Sequence, residues 1–128
     1  MTRRAPRRRF PEEAPPDPSL TSAQFHILLT LAEGTRHGYG IMQAVERRTG
    51  GGLELGPGTL YRSIKQLLDR GLIVEVPPGP DRKADESSRR RSYALTPTGK
   101  ARAAAEARRF RELVRWAEDV MVLDGGKA

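Results

Sequence analysis

The chain has no cysteine. That excludes disulfides, thiol redox sensing, cysteine nucleophiles and thiolate metal sites. Its two histidines, His26 and His37, lack paired-ligand spacing, so no zinc or other metal site is expected. No apolar run approaches the roughly 20 residues that cross a bilayer, and no apolar signal-peptide region marks the N-terminus. The expectation is a cytoplasmic protein without membrane contact. No clustered catalytic set and no phosphate-binding glycine loop followed by lysine occur, and the carboxylates are expected on helix surfaces. The chain therefore reads as a non-enzyme without a cofactor. Aromatics are few: one Trp, three Tyr and three Phe.

Positive charge is abundant. The 128 residues hold 23 Lys and Arg against 16 Asp and Glu, a formal charge of +7 with a pI near 10.5. Such a balance suits a polyanionic partner, most often nucleic acid, although merely soluble basic proteins share it. The length suits one small domain.

Residues 1–18 are rich in proline and arginine and read as a disordered basic arm. Arg3, Arg4, Arg7, Arg8 and Arg9 could reach a DNA groove or backbone, or form an inert solvated tail. Thr21-Ser22-Ala23-Gln24 has capping-box spacing, with Leu20 and Phe25 placed as a hydrophobic staple. The first helix follows, with Phe25, Leu28, Leu29 and Ala32 on one face and Ile27 and Leu31 on the next. So apolar a helix buries more than one side, on its own domain and on a further surface. A second helix is expected over Gly38 to Thr49, with Ile41, Met42 and Val45 inward.

The run from Gly58 to Ile73 is the most informative. Leu60, Ile64, Leu67 and Leu68 share one helical face. Thr59, Tyr61, Arg62, Lys65 and Gln66 are left for the other, with Pro57 at the start and Gly71 at the end. A short, basic, hydroxyl-bearing helix with one apolar side suits the DNA major groove. Residues 72–76 and 91–95 read as the two strands of a wing, joined by a loop that carries Arg82, Lys83, Arg89 and Arg90 beside acidic residues. The last helix is expected from Thr96-Pro97 to about Leu123, with Phe110, Leu113, Val114, Ala117, Val120 and Met121 as an apolar stripe that Trp116 and Leu123 widen. At 1.5 Å per residue such a helix spans roughly 39 Å. That exceeds a small winged-helix core, so a second chain is the expected cover.

His37-Gly38-Tyr39-Gly40-Ile41, Gly58-Thr59-Leu60-Tyr61-Arg62 with Leu67 and Gly71-Leu72-Ile73, and Tyr93-Ala94-Leu95-Thr96-Pro97-Thr98-Gly99 occur in this order. With them the chain resembles the PadR-type transcriptional regulators over roughly residues 20–123, in the short subgroup with a single C-terminal helix. Where the family wing often has Gly-Arg-Arg-Lys-Tyr-Tyr, this sequence has Ser88-Arg89-Arg90-Arg91-Ser92-Tyr93. The fold expected is mainly α with a small β-hairpin. It comprises a winged helix-turn-helix over 19–96, one long C-terminal dimerisation helix over 97–123 and a tail over 124–128.

The resemblance implies a homodimer through the first and last helices. It implies binding to a near-palindromic double-stranded DNA operator, as a repressor that a small effector releases. The candidate DNA-binding residues are Tyr39, Thr59, Tyr61, Arg62, Lys65, Arg89, Arg90 and Arg91. Tyr39 and Tyr61 have core packing as their alternative, Thr59 a plain helix-start role, and Arg62 either guanine or phosphate. Phe110 and Trp116 are candidates to contact a flat aromatic or cationic effector, or else are interface core. Two other readings stay open. A sequence-nonspecific nucleic-acid binder would show steep salt dependence and little preference. A winged-helix adaptor for proteins would not need Thr59, Tyr61, Arg62 and Lys65 on one exposed face.

Overall fold

The computed structural model describes residues 19–77 and 91–121. The arm, the wing-loop residues Arg82, Lys83, Arg89 and Arg90, and Leu123 with the tail lie outside the described residues. In chain order the elements are α1 (Ser22–Ala32), β1 (Arg36–His37), α2 (Gly38–Thr49), α3 (Pro57–Asp69), β2 (Ile73–Val76), β3 (Ser92–Leu95) and α4 (Pro97–Met121).

The start of α1 follows from local chemistry. The Thr21 hydroxyl accepts from the Gln24 backbone N–H at 3.0 Å, and the Gln24 Oε1 accepts from the Thr21 N–H at 3.0 Å. Both bonds of the capping box satisfy donors that a helix start leaves open. The inward face of α1 differs from the expected grouping. Ile27, Leu28 and Leu31 are buried, whereas Leu29 and Ala32 face outward and Phe25 is half-buried. Helical advance of about 100° per residue places Gln24, Ile27, Leu28 and Leu31 over the core and leaves Leu29 opposite them.

The helices α2 and α3 cross beneath α1, burying Ile41 and Val45 from one and Leu60, Ile64 and Leu67 from the other. Each such side chain contributes roughly 1.5–3 kcal/mol when fully buried. The three strands form an antiparallel sheet in the order β1-β3-β2. The wing hairpin pairs Ile73 with Leu95 and Val76 with Ser92. The third strand was not expected: Arg36 and His37 pair with Tyr93 and Ser92. His37 then caps α2, its Nδ1 accepting from the Gly40 N–H at 3.2 Å.

Thr96 joins α4 to this frame. Its hydroxyl donates to the Gly71 carbonyl at 2.8 Å and accepts from the Gly99 N–H at 2.9 Å, while its own N–H reaches the Leu72 carbonyl at 3.1 Å. Gly99 then lies flat against that turn. A Cβ there would meet the Leu72 carbonyl oxygen at 2.0 Å, a contact no backbone tolerates. Past this anchor α4 buries only Ala103 and Glu106, and its apolar stripe stands uncovered in the single chain. Gly99→Ala is expected to push α4 off the turn and cost about 2–3 kcal/mol, read as a lowered urea midpoint.

Candidate nucleic-acid interface

The buried face of α3 fixes what its other face presents. With Leu60, Ile64 and Leu67 beneath, the helix holds Thr59, Tyr61, Arg62 and Lys65 outward, all exposed. Gly56 is the N-cap and makes no side-chain capping bond, and Pro57 follows it. The first turn therefore keeps open N–H groups at the positive end of the helix dipole.

Tyr61 is both packed and exposed. Its ring edge lies over Gly38, where a Cβ would come within 2.5 Å of the Tyr61 hydroxyl oxygen. The side chain nevertheless remains 51% exposed. Gly38 is thus the platform on which Tyr61 rests, and any larger residue would displace it. Tyr39, the next residue of α2, is 60% exposed. It stands outside the core rather than in it.

The wing base closes on the same place. Arg91 lies 3.6 Å from the Glu75 carboxylate across the hairpin. Burial pushes the Tyr93 hydroxyl pKa up, Glu75 and Tyr61 push it the same way, and Arg91 opposes them. Tyr93 stays neutral, and the four groups share one electrostatic neighbourhood. The structure sets Thr59, Tyr61, Arg62 and Lys65 along the exposed side of α3, Arg91 opposite Glu75 at the wing base, and Tyr39 exposed on α2. Lys65 pairs with Asp69 at 3.6 Å, both side chains largely exposed. Exposed pairs of this kind contribute about 0–1 kcal/mol, so a phosphate can displace Asp69 easily. Arg89 and Arg90 fall outside the described residues.

The two effector candidates are not brought together within one chain. Phe110 stacks on Phe25 of α1, with centroids 5.4 Å apart and planes 20° from parallel. Trp116 is 64% exposed. It stands a turn and a half further on, on a different face of α4. A groove of about 400 Å³ beside the Phe25–Phe110 stack is lined also by His26, Glu106 and Arg109.

Glu106 corrects the expectation that all carboxylates lie on helix surfaces. It is 4% exposed, with Arg109 donating to it at 2.9 Å and 3.4 Å and the Arg102 guanidinium forming an ion pair at 3.9 Å. Basic residues at i−4 and i+3 made the ion pairs legible in the sequence but not the burial. The Arg109 hydrogen bond holds the Glu106 carboxyl below the usual glutamate range, against the opposing effect of burial. Its stabilisation is then present above the unfolded glutamate value, about 4.3, and is lost as pH falls through the lower folded value. Glu106→Gln is expected to lower stability at neutral pH and to flatten its acid dependence. Urea midpoints measured from neutral pH downward check this, and an unchanged acid slope would count against it.

The family model described as "Transcriptional regulator PadR-like family" matches residues 27–105. The chain is 31% identical over 94 residues to the transcriptional regulator Rv3488 of Mycobacterium tuberculosis, covering 73% of this chain and 80% of that protein. It is 37% identical over 78 residues, 61% of its length, to a 37.1 kDa protein in transposon TN4556 of Streptomyces fradiae, of which it spans only 20%. Among solved structures, a PadR family transcription regulator from Clostridium difficile superposes with a TM-score of 0.64 at 21% identity, covering 79% of this chain and 99% of that one. That likeness establishes the winged-helix fold.

Proposed function

From the premise that this chain belongs to the PadR-like family of transcriptional regulators, we propose that it is a dimeric repressor that binds a near-palindromic DNA operator. The observation that carries this reading is the exposed face of α3, where Thr59, Tyr61, Arg62 and Lys65 stand together over the buried row Leu60, Ile64 and Leu67. A protein-binding adaptor has no need of that constellation. In the proposed complex α3 lies in the major groove, Lys65 and Tyr61 contact phosphate, and Arg62 reaches base edges. Tyr39, Thr59 and Arg91 flank the groove, with Arg89 and Arg90 beyond. Residues 19–96 form the DNA-binding unit, residues 97–123 the dimer helix, and the 1–18 arm adds affinity without specificity.

Dimerisation in this reading runs through α1 and α4. Leu29, Leu113, Val114, Val120 and Met121 are exposed apolar side chains on these two helices, a surface that single soluble chains rarely leave open. Two α3 helices would then meet successive major grooves roughly 34 Å apart. An aromatic or cationic effector would enter between the paired α4 helices, contacting Phe110 and Trp116, and would release DNA by preferring the DNA-free form.

Selection of bound duplexes from a random pool, followed by titration, tests the DNA reading. Arg62→Ala is expected to lose about 1–3 kcal/mol on the selected site and relax its base preference, while Lys65→Ala weakens all duplexes alike. Equal wild-type affinity for selected and random duplexes would falsify the operator reading. The dimer has its own test. Sedimentation at micromolar concentration should give a dimer for the wild type, and monomers or aggregates when Leu113 and Val120 both become Glu. A folded wild-type monomer would exclude the interface.

A further inference from the structure

The buried row of α3 sets which side faces outward, and contacts on the two flanks of the helix adjust its roll within that arc. Around the helix, at about 100° per residue, Tyr61 lies on one side of the buried row and Gln66 on the other. Tyr61 rests on Gly38 of α2. Gln66 accepts a hydrogen bond from Gln24 of α1, Nε2 to Oε1 at 2.9 Å. Arg62 and Lys65 occupy the arc between those two flanks, pointing away from the core.

The two flanking contacts differ in kind. The Tyr61 contact is a steric stop, which limits rotation in one direction only. The Gln24–Gln66 bond is directional and resists rotation the other way. Gln24 is itself held fixed. It is 5% exposed, and its Oε1 is committed to the Thr21 N–H of the capping box. Its amide group is therefore oriented before it meets α3, and only the Nε2 side is left to donate. The next residue, Phe25, stacks on Phe110 of α4. The first turn of α1 thus grips α3 through Gln24 and α4 through Phe25.

We infer that Gln24, acting through Gln66, is a specificity-determining positioning residue that sets the roll of α3 and so the bases Arg62 meets. This rests on the operator reading above. Gln24 is buried on the core side of α3 and touches no DNA in that arrangement. Its effect on base choice passes wholly through the orientation of the helix.

The test uses the full-length protein and Gln66→Met, which removes the tether and leaves the capping box whole. The readout is the ratio of affinity for the selected duplex to affinity for a scrambled one. Simple loss of folded protein lowers both affinities by one factor and leaves the ratio unchanged. Loss of the tether is expected to lower the ratio roughly 3- to 10-fold, the equivalent of one hydrogen bond, with scrambled-duplex affinity kept. Gln24→Met, which removes the tether and also the reverse bond of the capping box, must lower the ratio at least as much, and the double variant must match Gln24→Met alone, because Gln66→Met then has no further bond to remove. A ratio that falls for Gln66→Met but not for Gln24→Met would mean that Gln66 touches DNA directly, which overturns the inference. Unchanged ratios in both overturn it as well.

A DNA-free measurement separates this from failure of the operator reading. With no native cysteine in the chain, Asp69→Cys with Arg111→Cys gives two unique spin-label sites on α3 and α4. Diluted with unlabelled protein, they report one intramolecular distance. Gln66→Met is expected to broaden or shift that distribution, and an unchanged distribution overturns the tether whatever the DNA result. A wild type that prefers no duplex, with a distribution that still responds, breaks the operator reading and with it the specificity role assigned to Gln24.

Discussion

The structure depends on the burial of α1. This single helix packs against α2, α3, β3 and α4, and Ile27 and Leu28 have no exposed surface. A helix enclosed on so many sides cannot shift without moving every element that touches it, because close-packed interiors transmit displacement rather than absorb it. Its starting point therefore matters more than its propensity. The capping box fixes that point with two hydrogen bonds, and the residues that follow inherit their directions from it.

Charge is arranged differently in the two halves of the molecule. On the outer face of α3 and at the wing base the cations are exposed, and their carboxylate partners sit at 3.6 Å in solvent. Such pairs cost little to break and are screened by salt. Between α1 and α4 the opposite holds. Glu106 is enclosed, and removing Arg109 would take away both hydrogen bonds that Arg109 donates and leave it the longer Arg102 ion pair. The labile pairs lie where a polyanion is proposed to bind, and the tight one lies where two helices must stay together.

What the sequence made legible was whatever is decided locally. The capping box, the α2 span and the buried row Leu60, Ile64 and Leu67 all follow from spacing within a few residues. The outward placement of Thr59, Arg62 and Lys65 follows from the same periodicity. The missed features are contacts between distant parts of the chain. Arg36–His37 is too short to alternate, and only its pairing with β3 makes it a strand. Glu106 sits among exposed charges on α4, so its burial depended on where that helix docks. The Phe25–Phe110 stack joins elements whose approach no local pattern encodes, whereas packing of Tyr61 on α2 was one of the two readings its position allowed. Leu28 and Leu29 share an apolar face in the sequence pattern, and only the direction of the core separates the buried Leu28 from the exposed Leu29.

The same logic bears on α4. Its anchorage is complete by Phe110, and beyond that residue nearly every side chain is exposed. Isolated helices of roughly 12–15 residues are marginal in water, and the distal half of α4 is about that long. Its alanines lie mostly upstream, so intrinsic propensity does little for it where Val114, Trp116 and Val120 stand. Helix formation there and covering of the apolar stripe then become one linked equilibrium. The winged domain, held by α1, does not share that dependence. In the proposed dimer the consequence is a division of labour: the domain folds by its own core, while a partner's cover over the apolar stripe stabilises the helix that the far end of α4 forms, and so fixes the distance between two DNA-facing helices.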